Sequence, residues 1–323
     1  MATVILSSRY NTLRSRISKV MGTTTTGDPT FGYGQTVDTT VVSGSRDDIE
    51  TANLVTAQQH RDLYIDIIRA RAHQVGSNNV TIEPFPVGNF AVNDTNTDKV
   101  LESYILSLES LATSIENDRF LVDPLTQITI DSFLTSTRLN SQSGAWNGTI
   151  SHVFTVTFSN VNARRHFFNA GGEIRFSASV DYSGSQAKTL DWQNTLADMG
   201  TISFKANQTI SNAGVGTGSN IGNYQLTGSY QRLYTKSGGG VYAENEYEIY
   251  GLQNSTTQLQ FRVDFADNDQ GSGAGDPIDE DVLGDFNSVI ELAIPDGTVD
   301  INGTIYDTVV ITNLPSGNTT SNL

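Results

Sequence analysis

Cysteine is absent from this chain, which removes disulfide bridges and thiolate metal sites from consideration. Charge is scarce too: only 17% of residues are charged, in a sequence rich in Thr, Ser, Asn and Gly. Basic charge is the scarcer kind, with 19 Lys and Arg against 35 Asp and Glu and a net charge of −16. So acidic a body lacks the cationic surface that phosphate neutralisation requires, and broad nucleic-acid binding is not expected. No apolar run approaches the length of a membrane span, so membrane insertion is not expected. Met1 to Leu6 is too short an apolar stretch for a signal peptide. Polarity without charge suits β-rich, turn-rich, particle-borne or extracellular proteins better than a metabolic enzyme.

The charge that is present is unevenly placed. Residues 1–20 carry Arg9, Arg14, Arg16 and Lys19 and no acid, while Val263 to Leu323 holds twelve carboxylates and no Lys or Arg. The basic start is either a docking face for an acidic partner surface, such as a neighbouring subunit, or a solvated helix face.

A chain of 323 residues suggests about two domains. Residues 1–120 read as helices joined by loops. Leu6, Tyr10, Leu13, Ile17 and Val20 mark one face of a first helix closed by Gly22. Ser45 and Asp48 resemble a capping box ahead of a second helix, whose face carries Leu63, Tyr64, Ile67 and Ile68. Leu101, Tyr104, Ile105, Leu108, Leu111, Ala112 and Ile115 give a third helix a wide apolar stripe. Three short helices on long connectors form a weak core by themselves. Leu13, Ile17, Leu101, Ile105 and Leu108 are therefore expected at subunit contacts of a homo-oligomer.

From Leu121 the period changes to two. Strands are expected near 126–138, 149–159, 173–182, 201–210, 223–235, 241–251, 256–266, 287–294 and 304–313, separated by Gly, Asn, Asp and Ser. Spacing near ten residues is the pattern of an antiparallel β-sandwich. One interruption is helical: Trp192, Leu196 and Met199 lie at i, i+4 and i+7 before Gly200, so a short crossing helix is expected near 185–199 with Trp192 as a core anchor. The expected fold class is α+β, with a helical region at 1–120 and the sandwich at 121–323.

Chemistry-bearing patterns are weak. Residues 213–222 are glycine-rich but fit neither a dinucleotide nor a Walker motif, so a flexible hairpin loop is the expectation. His60, His73, His152 and His166 are scattered and lack metal-ligand spacing. No nucleophile elbow occurs, and Asp279 with Glu280 or Asp281 would need a desolvated cleft to act as a glycosidase pair. Asp264, Asp267, Asp269, Asp276, Asp279, Glu280 and Asp281 crowd into eighteen residues. That leaves either a solvated acidic loop or a Ca²⁺ site built on Asp267, Asp269, Asp276 and Asp279; the EF-hand spacing fails at Gly271 and Ile278. Trp146, Tyr230, Tyr234, Tyr242, Tyr247 and Tyr250 offer either sugar-stacking faces or cross-strand packing. No cofactor is expected, and no enzymatic activity.

Several stretches are distinctive in wording and order. They are Ser8-Arg-Tyr-Asn11, Gly32-Tyr-Gly-Gln35, Leu63 to Arg69 with Arg71-Ala-His-Gln74, and Phe167 to Phe176. Trp192 with Met199 to Phe204, and Asp279-Glu280 with Val282 and Gly284, follow. Together they resemble a family of virion structural proteins of tailed phages, especially the marine contractile-tailed cyanophages. The resemblance implies a non-enzymatic component of the tail, baseplate, fibre, neck or head, with other virion proteins as partners. A host-surface glycan is an alternative ligand. It supplies no catalytic residues.

Overall fold

The structure, a computed structural model, describes residues 7–22, 32–33, 55, 57–76, 80, 97–121, 133–139, 146–269, 281–294 and 309–320. It is α+β: helices come first in the chain, and antiparallel sheets follow. The chain divides into two compact units, one of residues 1–131, 165–171 and 295–307, the other of 132–164, 172–294 and 308–323.

The first unit contains α1 (Ser7–Met21), α2 (Ala57–Val75) and α3 (Thr97–Asn117). Their contacts rise together in number. Arg9 pairs with Glu109 and Arg16 with Glu116, while Tyr10 Oη donates to Gln59 O and Gln74 reaches Ile115 O. The three helices therefore run in the same direction, which no short turn can connect, and the long connectors follow from this. Leu13, Ile17, Val20, Leu63, Ile67, Ile105, Leu108, Ala112 and Ile115 fill the core between them. The capping pair expected at Ser45 and Asp48 lies outside the described residues.

The second unit holds two five-stranded sheets. One has the order β1 (Phe133–Leu139), β9 (Asp285–Ala293), β3 (Glu173–Asp181), β4 (Ile202–Phe204), β5 (Thr209–Ser211). The other runs β10 (Val309–Thr320), β2 (Gly148–Phe158), β8 (Gln258–Asp267), β7 (Glu246–Gln253), β6 (Gln231–Ser237). All pairings are antiparallel. Two-residue alternation sets the faces: Leu259, Phe261, Val263 and Phe265 of β8 are fully buried, whereas Gln260 and Arg262 between them are only half-buried. Phe261 meets Phe176 and Phe204 of the other sheet at 5.1 Å each, and Phe265 meets Phe286 at 5.0 Å. β10 is an edge strand whose register shifts between Leu314 and Gly317, around Pro315, a residue tolerated at edges and bulges.

Two helices interrupt the strands. α5 (Ala187–Met199) buries Trp192, Leu196 and Met199. α4 (Val161–Asn169) lies where the alternation predicts no helix. Asn160 Oδ1 caps it by accepting the backbone N–H groups of Asn162 and Ala163 at 2.9 Å each, and Gly171 at φ +92° ends it. The strand expected at 201–210 breaks into β4 and β5, and that expected at 223–235 begins only at Gln231.

The glycine-rich segment 213–222 is tied at two points. Thr217 exchanges backbone hydrogen bonds with Thr235 of β6 at 2.8 and 3.0 Å, and Ser219 does so with Thr209 of β5 at the same distances. It thus covers one edge strand of each sheet, which limits edge-to-edge pairing. Glycine is required here: Gly216 sits at φ +76°, and a Cβ on it would fall 2.7 Å from Thr235 O.

Candidate functional site

The solvent-facing side of the second sheet gathers the polar groups that alternation turns away from the core. Register places Val153, Arg262, Tyr250 and Arg232 in one row across β2, β8, β7 and β6, and Ser151, Asp264 and Glu248 in the next. The Arg262 guanidinium lies over two rings, 4.6 Å from the centroid of Tyr250 and 4.9 Å from that of Tyr230. Arg262 Nε donates to Asp264 Oδ2 at 2.9 Å, and Ser151 Oγ donates to Asp264 Oδ1 at 2.7 Å. Tyr250 Oη donates to Glu248 Oε1 at 3.0 Å, Arg232 Nη1 donates to the same oxygen at 3.2 Å, and Tyr230 Oη donates to Gln260 Oε1 at 2.9 Å.

Burial raises the pKa of Tyr250 to about 12, helped by its hydrogen bond to Glu248. Burial also raises Tyr230 and Asp264, opposed at Asp264 by the Ser151 hydroxyl and Arg262. Both phenols are neutral donors at neutral pH. The strip has two positive and two negative groups, so it balances in charge while the chain as a whole is acidic. It offers flat π surface beside fixed donors and acceptors, the chemistry that holds a polyhydroxylated ring.

Only two of the six aromatic candidates reach this face. Trp146, Tyr234, Tyr242 and Tyr247 are buried, at 2%, 1%, 7% and 0% exposure, and serve packing. Trp146 meets Trp192 and Phe286 at 6.3 and 5.1 Å.

The calcium candidates separate. Asp276, Asp279 and Glu280 lie outside the described residues. Asp267, at the end of β8, is fully buried against the equally buried Lys188 of α5, with Nζ 2.8 Å from Oδ1. Lys188 Nζ also donates to Asp269 O at 2.8 Å. A built-in ammonium thus stands beside the carboxylate that a cation would need. Burial pushes the Asp267 carboxyl up to about 6, opposed by Lys188. No group of three or more metal-ligating side chains occurs among the described residues.

The expected subunit-contact stripe is covered within the chain. Leu13, Ile17, Ile105 and Leu108 are 0–4% exposed in the helical core, because α1, α2 and α3 present their stripes to one another. The side chain of Leu101 is outside the described residues. The basic face is partly committed as well: Arg9 and Arg16 turn to α3, the latter 2.6 Å from Glu116 Oε2. Arg9 holds the Glu109 carboxyl below its ordinary value by hydrogen bonding. Arg14 and Lys19 also lie on α1.

Two of the distinctive stretches meet in the first unit, beside the residue that precedes a third. Tyr33, fully buried, accepts at its hydroxyl from Gln74 Nε2 at 2.9 Å and donates its backbone N–H to Val20 O at 2.6 Å. Its own carbonyl oxygen is 3.0 Å from His166 Nδ1, which must carry the proton there, and its ring meets His73 edge-on at 5.4 Å. Gly32 beside it, at φ +84°, lies against the carbonyls that end α1, where a Cβ has no room. Val282 and Gly284 of the C-terminal motif are likewise structural: Val282 exchanges backbone hydrogen bonds with Trp146 at 2.9 and 2.8 Å, and Gly284 sits at φ +92°.

Sequence reasoning passed over Arg164. Almost fully buried, it donates to Asn223 Oδ1 and O, Ser255 O, Thr256 O and Gln253 Oε1 at 2.7–3.3 Å, and burial lowers its pKa to about 10. The signal lay in Asn160, a capping residue that places Arg164 in the first turn of a helix. Comparison with protein-family models, with curated proteins and with solved structures finds no match to this chain.

Proposed function

We propose that this chain is a non-enzymatic structural component of a tailed-phage virion. In this reading the two sheets form a β-sandwich, and the helical region contributes to assembly into a homo-oligomer with other virion proteins. One observation carries the proposal: several of the residues that make the sequence distinctive serve packing. Tyr33, Gln74, Phe176, Trp192 and Phe204 are all at most 1% exposed, and the Tyr33 hydroxyl and the Gln74 amide bond to each other within the fold. A family defined by such residues is defined by its architecture. The proposal is tested by mass spectrometry of density-purified tailed particles. Stoichiometric recovery of this chain's peptides is expected, and their loss on purification contradicts the proposal.

A second reading, a glycan-binding module of the virion, is favoured by the Tyr230–Arg262–Tyr250 strip. On a glycan array, wild type should bind a defined set of sugars and Tyr230→Ala/Tyr250→Ala should lose it while keeping the wild-type far-UV circular dichroism spectrum. Absence of wild-type binding removes this reading and leaves the first intact.

A further inference from the structure

Lys188 and Asp267 are an unusual pair: both side chains are at 0% exposure, with the ammonium nitrogen 2.8 Å from a carboxylate oxygen. Taking two ions out of water costs several kcal/mol per ion, and an apolar neighbourhood favours any state in which both charges are gone. The neighbourhood here is aromatic. Trp192 follows Lys188 by one helical turn, Phe265 precedes Asp267 on the same strand face, and their rings are 6.1 Å apart.

The partners are also held still. Lys188 Nζ is anchored to Asp269 O at 2.8 Å. Asn245 Oδ1 accepts the backbone N–H groups of Asn268 and Asp269 at 3.0 and 3.1 Å, fixing the turn after β8. A second carboxylate, Asp269, is 6% exposed, and its Oδ2 is buried with no hydrogen-bond partner among the described residues.

We propose that Lys188 Nζ and Asp267 Cγ condense to an amide, an intramolecular isopeptide bond that staples α5 to the end of β8. The ion pair is the reactant state. Proton transfer from the ammonium to the Asp267 carboxylate gives an amine and a carboxylic acid. The nitrogen lone pair then attacks Cγ, and Asp269 carries the proton from the nitrogen to the departing hydroxyl. One C–N bond forms, one C–O bond breaks, and one water leaves; no oxidant or cofactor is needed. Fixed proximity in a dry site is what such a condensation requires. In a chain without cysteine, it is a covalent cross-link that the side chains can still form.

The test is peptide mapping of the full-length wild-type protein, aged at neutral pH and denatured before digestion. Trypsin should leave Phe176 to Lys205 uncut after Lys188, joined to the peptide that begins at Val263, and lighter by one water. Asp269→Asn should slow the appearance of that species at least tenfold. Recovery of the two peptides separately, with cleavage after Lys188, overturns the proposal, as does a water loss that maps elsewhere. A bond that forms at the wild-type rate in Asp269→Asn removes the role given to Asp269.

Discussion

Gln74 donates from Nε2 to the hydroxyl of Tyr33 at 2.9 Å and to Ile115 O at 2.9 Å, while its Oε1 accepts from Arg71 at 3.0 Å. One buried amide thus ties the loop after α1 to the ends of α2 and α3. Gln74→Leu leaves the hydroxyl of Tyr33 and the Ile115 carbonyl without this donor, and should cost about 1–3 kcal/mol. Tyr33→Phe keeps the bond to Ile115 and should cost about 1 kcal/mol. The double variant should fall short of the sum, because the two share one bond. Urea unfolding followed by far-UV circular dichroism reads all three.

Trp192 meets Trp146, Phe265 and Phe286 at 6.3, 6.1 and 5.5 Å. Trp192→Ala should cost about 3–5 kcal/mol, as expected for deleting a large buried ring. A melting temperature equal to that of wild type would deny it the role of anchor.

The Arg9–Glu109 pair gives a pH dependence of known sign. Arg9 lowers the Glu109 pKa in the folded state, so the pair's contribution is complete above the unfolded carboxylate value of about 4.3. It is lost as pH falls through the lower folded value. Both side chains are nearly a third exposed, so screening keeps the contribution small. Glu109→Gln should cost about 0.5 kcal/mol at pH 7 and nothing near pH 2 in paired thermal melts.

The helices were legible because 3.6-residue stripes such as Leu13/Ile17 and Ile105/Leu108 are dictated by burial alone. What covers those stripes was not legible. Periodicity says that Leu108 is buried, but only the common direction of the three helices says that the cover is the chain's own. The helix at 161–169 was missed for a related reason: nine residues are too few for a periodic signal, leaving only Asn160 and Gly171 as local marks. The outer-face strip was half legible. Alternation turns Tyr250 to the face opposite Tyr247 within β7, but the register that sets Arg262 beside Tyr250 is a long-range pairing no local pattern encodes. Asp267 misled because a run of carboxylates reads as solvated or metal-binding, and Lys188 is far away in sequence.

The clasp formed by 213–222 predicts a contrast between glycines. Gly216→Ala places a side chain at φ +76° against Thr235 O and should cost about 1–3 kcal/mol. Gly228→Ala meets nothing within 4 Å and should leave stability nearly unchanged. Equal effects in chemical denaturation would argue against a fixed clasp.

The most direct test of the structural reading is cryo-electron microscopy of intact tailed particles purified from a lysate in which this chain is made. The account predicts two five-stranded antiparallel sheets, with α5 against them, at a repeated position in the tail, baseplate, fibre, neck or head. Particles in which every repeated position is filled by other chains, with this one recovered only in the soluble fraction, would contradict it.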